Sequence, residues 1–184
     1  MAHKENQRIA LTRRLLQDGL LRLLAHEKLD QISVTALCKE AGINRATFYN
    51  HYASPAELLN EMEHNLADEL EVLVQAPGTY EEFSHRLELY CSKLKENKEL
   101  VNILIAYHID RDLESVYTEL AKSYRKNRLN LNNTEMDADT SHLVSMYLYA
   151  GSYALMIEWI QRDINKTPRE IADLMLSIIN KDFL

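Results

Sequence analysis

Apolar residues recur at intervals of three and four along most of the chain, which is the spacing of one face of an α-helix. In the first long stretch, residues 7–25, this face consists of Ile9, Leu16, Leu20, Leu23 and Leu24. Gly19 lies inside that stretch, where it costs about 1 kcal/mol relative to alanine. We therefore expect an amphipathic first helix that another helix approaches closely at Gly19.

Two short helices follow, and both are marked by the residues at their ends. Ser33 is a favourable N-cap for a helix over 34–41, and Gly42 can adopt the left-handed conformation that ends it. Asn44 can cap a third helix over 45–51. Two short helices joined by such a turn are typical of a helix-turn-helix, whose second helix enters the major groove of DNA.

The rest of the chain contains further helix signals. Capping boxes begin at Ser54, Thr79 and Thr167, each with a glutamate three residues later. With the apolar periodicity, they predict helices over 54–75, 79–96, 98–106, 111–129, 139–163 and 168–182. The last two are apolar on more than one side, which indicates that they form a self-complementary interface, unless both simply lie in the core of the protomer.

The composition supports an all-α fold of about nine helices. The 184 residues include four glycines and three prolines, a share well below the usual combined level of about 12%. A β-sandwich or barrel needs a turn about every 8 to 12 residues, and a nucleotide-binding α/β enzyme needs a glycine-rich phosphate loop. Neither can be assembled from this sequence.

Charge is unevenly distributed along the chain, which has 21 basic and 28 acidic residues and a net charge of −7. Residues 1–52 hold eight lysines and arginines against five acidic residues, so this part is basic. The remaining residues hold 13 basic and 23 acidic groups. A basic head on an acidic body is typical of a DNA-binding module joined to a domain that does not contact DNA.

The run from Ile32 to Tyr52, ISVTALCKEAGINRATFYNHY, carries a specific resemblance. With Thr12-Arg13-Arg14-Leu15-Leu16 before it and Glu57-Leu58-Leu59 after it, this run closely resembles the DNA-binding head of the TetR family of bacterial transcriptional regulators. The resemblance covers about the first 60 residues, and the later helices are similar to the family only in pattern. It implies an all-helical homodimer that binds an operator in double-stranded DNA and a small-molecule effector.

The resemblance also implies which residues contact DNA. Thr35, Tyr49 and His51 match positions that touch phosphates, and residues 44–46 start the recognition helix, where base edges are reached. Arginine can bond guanine and alanine can contact a thymine methyl group, so the residue types fit. The family often has a lysine where this chain has Pro55, and Lys39 is a candidate replacement. The expected DNA-binding residues are Thr35, Lys39, Asn44, Arg45, Ala46, Thr47, Tyr49 and His51.

The body offers candidate effector-binding residues with aromatic rings and polar tips, which suit an apolar pocket with a few hydrogen-bonding groups. They could equally be core or interface residues whose hydroxyl groups are satisfied. The candidates are Tyr90, Tyr107, His108, Tyr117, Tyr124, His142, Tyr149 and Tyr153. The expected dimer interface on the last two helices includes Tyr149, Trp159, Leu174 and Ile178.

We therefore expect three parts: a helix-turn-helix domain over 1–52, a connecting helix over 53–76, and an effector-binding and dimerisation domain over 77–184. The longest uncharged stretch, 143–157, is shorter than the roughly 18 apolar residues of a membrane span. No secretory signal is visible in the first residues. Cys38 and Cys91 have no metal-ligand spacing and are expected to be reduced and buried. We expect a cytoplasmic protein without metal or cofactor.

The leading hypothesis is a ligand-responsive regulator that represses transcription from a near-palindromic operator. The alternative is a DNA-bound adaptor whose body docks a partner protein rather than a small molecule. An enzyme is disfavoured, because the sequence has no nucleophile elbow, zinc-protease motif, phosphate loop or paired catalytic residues.

Overall fold

The structure is a computed structural model that describes residues 2–75, 79–107, 113, 115–119 and 137–181. In these residues the regular structure is entirely helical. The α-helices are α1 (Ala2–Leu24), α2 (Val34–Ala41), α3 (Arg45–Tyr49), α4 (Pro55–Gln75), α5 (Tyr80–Glu96), α6 (Lys98–Ala106), α7 (Ala138–Gln161) and α8 (Pro168–Lys181). A short 3-10 helix spans Leu29–Gln31, and residues 115–119 are also helical.

The expected all-α fold with about nine helices is confirmed, and most predicted boundaries lie within two residues of the observed ones. The first helix differs most, because it begins five residues earlier than the apolar stripe predicts, at Ala2. Of the predicted helix over 111–129, the structure describes residues 113 and 115–119, which are helical, and the rest of that helix lies outside the described residues. The Pro77-Gly78 break and most of the predicted loop over 130–139 also lie outside them. The chain divides into two compact units, a first unit of Met1–Asn65 and a second unit of Leu66–Leu184.

In the first unit, α1 packs against α2 and α2 against α3. A Cβ atom added at Gly19 would lie 3.2 Å from the Cβ of Ala41, so the expected close approach of another helix is confirmed. The core contains the fully buried Leu16, Leu20, Leu37, Phe48, Leu58 and Leu59. Ile9 departs from the predicted stripe, because its side chain is 39% exposed.

In the second unit, α5 packs against α6, α7 and α8, and α7 also contacts α6 and α8. Side chains from distant parts of the sequence join these helices. Lys98 forms an ion pair with Asp163 (2.9 Å), and Arg169 forms one with Glu88 (3.1 Å). Asp163 has a φ of +50°, so the turn between α7 and α8 contains a left-handed non-glycine residue. Both cysteines are free and buried, as expected.

The apolar stretch of α7 is longer than expected from the sequence. His142–Gln161 is 20 residues long and apolar enough to cross a membrane by length and composition. The uncharged stretch 143–157 ends before Glu158, whereas this longer window includes that charged residue. Length and composition alone do not distinguish such a span from a helix whose apolar face meets other protein.

Candidate nucleic-acid interface and effector region

Helices α2 and α3 of the first unit begin at the predicted caps. The Ser33 hydroxyl oxygen accepts a hydrogen bond from the Ala36 N–H (3.1 Å), and Asn44 Oδ1 accepts one from the Thr47 N–H (2.7 Å). Gly42 ends α2 with a φ of +69°, which is the left-handed conformation expected there. These local bonds fix the turn that orients α3.

Phe48 anchors α3 to the first unit, because its ring is fully buried. The opposite side of α3 faces solvent. Among the expected DNA-binding residues, the exposed ones are Thr35, Lys39, Asn44, Arg45, Ala46 and Tyr49, and the half-buried ones are Thr47 and His51. Within the first unit, most of the expected DNA-binding residues are therefore exposed to solvent.

Two of these residues, at the first and last positions of α3, contact each other. The guanidinium carbon of Arg45 lies 5.9 Å from the centre of the Tyr49 ring, within the range of a cation–π interaction. The Tyr49 side chain is 52% exposed. Asn44 is already engaged through its oxygen as the cap of α3. The structure thus gives Arg45 an aromatic support and gives Asn44 a structural role in addition to the predicted one.

Tyr52 and Arg13 lie beside the same carboxylate. Tyr52 is 2% exposed and its hydroxyl donates to Glu61 Oε1 (2.8 Å), while Arg13 Nη1 lies 3.8 Å from that oxygen. Burial, followed by the hydrogen bond to Glu61, raises the pKa of Tyr52 well above its ordinary value. Tyr52 is therefore a core residue of the first unit.

The second unit brings together four of the eight effector candidates. Tyr117 is at the centre of this tyrosine cluster, with ring centres 6.2 Å from Tyr90, 5.5 Å from Tyr149 and 5.4 Å from Tyr153. The rings of Tyr149 and Tyr153 are nearly parallel, with an angle of 12° between their planes and 6.1 Å between their centres. The hydroxyl group of Tyr117 is hydrogen-bonded to that of Ser152. The cluster combines aromatic surface with hydroxyl groups that have little access to solvent.

Burial controls the chemistry of this cluster. Tyr90 and Tyr117 are 1% and 3% exposed, and loss of hydration raises the pKa of both hydroxyl groups above the ordinary tyrosine value. Burial also raises the pKa of the neighbouring Cys91 thiol to about 12. All three groups are therefore neutral at physiological pH, so the cluster can offer hydrogen bonds and ring surface but no charge.

The other effector candidates are not placed in the cluster by the structure. Tyr107 is half-buried at the end of α6, and His142 is exposed on α7. His108 and Tyr124 lie outside the described residues. For all eight candidates an effector contact remains a prediction from the sequence.

The expected interface residues fall into two groups. Leu174 and Ile178 on α8 are each 38% exposed, while Tyr149 is half-buried in the tyrosine cluster. Trp159 is only 2% exposed, and its Nε1–H donates to the Lys166 carbonyl (3.1 Å). Lys95 Nζ lies 5.0 Å from the centre of the Trp159 ring. This corrects the expectation for Trp159, because its side chain belongs to the core of the protomer.

Sequence reasoning left several residues of the second unit out of the sets of candidate site residues. Three large side chains near the start of α7 are strongly exposed: Leu143 (67%), Met146 (51%) and Tyr147 (63%). The sequence shows that α7 is apolar on more than one side, which indicated an interface. It does not show which of these sides is exposed in the protomer. Arg86 on α5 was also missed, although a basic residue one helical turn from Phe83 and Tyr90 could have marked it.

Comparison with known proteins follows the same division of the chain. Residues 16–62 match the family described as bacterial regulatory proteins of the tetR family, and residues 81–181 match a transcriptional regulator C-terminal region of that family. The chain is 42% identical over 59 residues to the uncharacterized HTH-type transcriptional regulator YxbF of Bacillus subtilis (strain 168). That match covers 31% of this chain, and the chain spans about 15% of the length of this curated relative.

Solved structures of low sequence identity share the fold over nearly the whole chain. The dihydroxyacetone kinase operon activator DhaS is 20% identical, with a TM-score of 0.63 over 92% of this chain and 94% of that one. The fatty acid degradation regulator FadR from Bacillus halodurans is 13% identical, with a TM-score of 0.66 over 94% of this chain and 96% of that one. A TetR transcriptional regulator from Streptococcus agalactiae 2603V is 18% identical, with a TM-score of 0.65 over 97% of this chain and 99% of that one.

The C-terminal match alone covers more than half of the chain, and the N-terminal match covers the helix-turn-helix. These matches agree with the all-helical fold, the exposed α3 and the resemblance of the first 60 residues. The chain belongs to the TetR family of bacterial transcriptional regulators and carries its helix-turn-helix DNA-binding region in the first unit.

Proposed function

We propose that this regulator binds a near-palindromic operator as a homodimer, represses transcription from it, and responds to a small-molecule effector in its second unit. The observation that carries the proposal is the presentation of α3, whose buried Phe48 and capped N-terminus leave Arg45, Ala46 and Tyr49 facing solvent. A helix held rigidly from behind and exposed at its first turn is suited to reading base edges in the major groove.

The proposed contacts divide into those that read sequence and those that position the protein. Arg45 can donate two hydrogen bonds to a guanine, and Ala46 can contact a thymine methyl group. Thr35, Tyr49 and His51 suit phosphate oxygens, which fix the register without reading sequence. The cation–π contact with Tyr49 restricts the Arg45 side chain before DNA binds, so less conformational entropy is lost in the complex.

The exposed apolar side chains of the last two helices support a homodimer. Leu143, Met146 and Tyr147 on α7 lie on one side of that helix, and Leu174 and Ile178 are exposed on α8, which packs against α7. A second copy related by two-fold symmetry would cover these residues with an identical surface. A dimer of this kind places two recognition helices about 34–36 Å apart, one turn of DNA, and therefore prefers a near-palindrome.

The tyrosine cluster is the proposed site of effector response. Its four rings come from α5, α7 and the helical residues 115–119, so a ligand that inserts among them must move these elements relative to one another. An effector that binds more tightly to a conformation unable to span both half-sites shifts the population away from DNA. Release from the operator then relieves repression. We place this regulation in the cytoplasm, where the operator is accessible.

Binding to the DNA upstream of the protein's own reading frame tests the proposal. Fluorescence anisotropy with that duplex and a shuffled duplex, over a range of salt concentrations, separates sequence preference from the electrostatic term. We expect preference for the upstream duplex at physiological salt, with one or two dimers per site. Equal binding to both duplexes that disappears with salt would contradict a specific operator at this location.

A transcription assay on the same DNA tests the sign of regulation. Repression predicts less transcript when the protein is added and recovery when the effector follows, whereas activation predicts more transcript. A response that requires another protein rather than a small molecule would support the adaptor alternative instead.

A further inference from the structure

Arg86 on α5 has an unusual environment for a charged side chain. The residue is half-buried, and its Nε and Nη2 atoms are shielded from solvent without a hydrogen-bond partner in the part of the chain that the structure describes. The guanidinium carbon lies 5.9 Å from the centre of the Phe83 ring. The guanidinium group thus lies near an aromatic ring. The edge formed by its Nε and Nη2 atoms lacks a hydrogen-bond acceptor.

Such an arrangement is costly for the isolated protein. A buried donor left without an acceptor keeps its full desolvation penalty, and the penalty is larger for a charged group. Two carboxylates on the same helix make their hydrogen bonds elsewhere: Glu82 Oε2 accepts the Thr79 N–H (2.6 Å), and Glu88 Oε2 accepts from Arg169 (3.1 Å). Glu82 is near enough for the charge of Arg86 to help lower its pKa. Neither carboxylate satisfies the buried edge of Arg86.

The two unpaired atoms define the shape of the missing acceptor. Nε and Nη2 share one edge of the guanidinium and point their N–H groups in parallel, which matches two oxygens of a carboxylate or phosphate. Tyr90 follows Arg86 by four residues on α5, so the two side chains lie on neighbouring positions of one helix face. The tyrosine cluster that begins at Tyr90 supplies aromatic surface beside this edge.

We propose that Arg86 is the anion-binding residue of the effector site, and that the effector is a small organic acid with an apolar or aromatic body. Its carboxylate or phosphate oxygens pair with Nε and Nη2 of Arg86, and its body lies toward the tyrosine cluster. This inference rests on the proposed effector response, and it names the chemical class of ligand that produces it.

Calorimetric titration of the DNA-free protein tests the assignment. Benzoate and phenyl phosphate carry the two anionic groups on the same ring, and benzamide is a neutral molecule of nearly the same shape as benzoate. We expect at least one of the two anions to bind the wild type and benzamide to bind at least tenfold more weakly. The preferred anion distinguishes a carboxylate effector from a phosphate effector.

Three variants connect that binding to Arg86. Arg86→Met keeps the length of the side chain and removes the donors, so we expect anion binding to weaken at least tenfold. Arg86→Lys keeps the charge without the paired edge and should give an intermediate loss. Arg162→Met removes a guanidinium whose side chain is 73% exposed and paired with Glu158, so anion binding should be unchanged.

Stability in urea provides a second readout that needs no ligand. If the unpaired edge is a vacant site, Arg86→Met removes two shielded donors that lack an acceptor, and its unfolding midpoint should equal or exceed that of the wild type. Anions should raise the midpoint of the wild type and not that of Arg86→Met. The assignment is overturned if neither anion binds the wild type, or if anion binding survives Arg86→Met.

The proposed function can fail separately from this inference. Anion binding that depends on Arg86 but leaves operator affinity unchanged would keep the site and contradict the effector response. If the protein binds DNA sequence-specifically but binds neither anion, the proposed DNA-binding regulator is supported and the proposed anion site at Arg86 is contradicted.

Discussion

The two units of the chain differ in how their exposed surfaces are built. In the first unit, the surface around α3 is held by hydrogen bonds between residues three apart, at Ser33 and at Asn44. In the second unit, hydrogen bonds join α5 to residues far along the chain. Lys95 donates to the carbonyl of Lys166, 71 residues later in the turn before α8. Glu88 accepts from Arg169 on α8, 81 residues later. The caps that orient the DNA-binding helix are thus locally encoded, whereas the packing of the second unit also depends on distant contacts.

The two units should therefore respond differently to change. A surface whose caps are local tolerates substitutions elsewhere in its unit that leave the core around Phe48 intact, because the hydrogen bonds that orient α3 involve neighbouring residues. A surface that depends on distant contacts moves when any of several helices moves, which is the property that an effector-responsive domain requires. Substitutions in both units test this difference, beginning with the largest expected effect.

Trp159→Ala should lower the free energy of unfolding by about 3–5 kcal/mol, because it removes a buried aromatic side chain and leaves a cavity. Its hydrogen bond to the Lys166 carbonyl is also lost. Urea unfolding measures the change, with Val72→Ala as the control because Val72 is 73% exposed. A similar small loss for both variants would contradict the placement of Trp159 in the core.

Leu143→Glu should convert the proposed dimer to monomers, because the proposed interface would bury an unpaired charge at a cost of about 3–5 kcal/mol. Ile178→Glu should act in the same direction. Sedimentation measures the oligomeric state. Leu11→Glu is the matched control, since Leu11 is 58% exposed on α1 of the first unit. A wild-type sedimentation profile for Leu143→Glu would place the interface elsewhere.

Arg45→Ala should weaken binding to the operator by about 1–3 kcal/mol and relax the preference for one base. The loss combines a base contact with the support that Tyr49 gives the side chain. Anisotropy with operator and shuffled duplexes measures both effects, and Arg162→Ala is the control in the second unit. Equal losses on the two duplexes would show that Arg45 contacts phosphate rather than a base.

Gly42→Ala should destabilise the first unit by about 1–2 kcal/mol, because alanine is strained in the left-handed conformation. An added Cβ atom meets no other atom within 4 Å, so the cost arises in the backbone alone. Gly151, inside α7, also has open space around it. There the same change should stabilise a monomeric Leu143→Glu protein by about 0.5–1 kcal/mol in urea unfolding. Effects of the same sign at both glycines would contradict the backbone origin of the cost at Gly42.

Tyr49→Phe should weaken binding to operator and shuffled DNA equally, by about 0.5–1.5 kcal/mol, because it removes one phosphate hydrogen bond. The ring that supports Arg45 is retained, so the base preference should not change. Anisotropy on single-base variants of the operator measures this. A loss confined to one base position would assign Tyr49 to sequence reading.

The difference between the units also explains how much of the molecule could be predicted from the sequence. Ser33, Gly42 and Asn44 act through bonds to residues within a few positions, so their caps and turns follow from local rules and were confirmed. Trp159 was misplaced because an apolar helix does not reveal which of its faces meets α5. The tyrosine cluster depends on contacts between different helices of the second unit, which spacing along one helix does not encode.

The proposed homodimer requires two recognition helices that read two half-sites one turn of DNA apart. Selection of tightly bound duplexes from a pool of random sequences tests this requirement directly, because the operator sequence need not be known beforehand. We expect an enriched near-palindrome with half-site centres about 34–36 Å apart, and weaker binding after half a turn of DNA is inserted between them. Enrichment of a single half-site, or binding that is unaffected by the insertion, would contradict the proposed dimer.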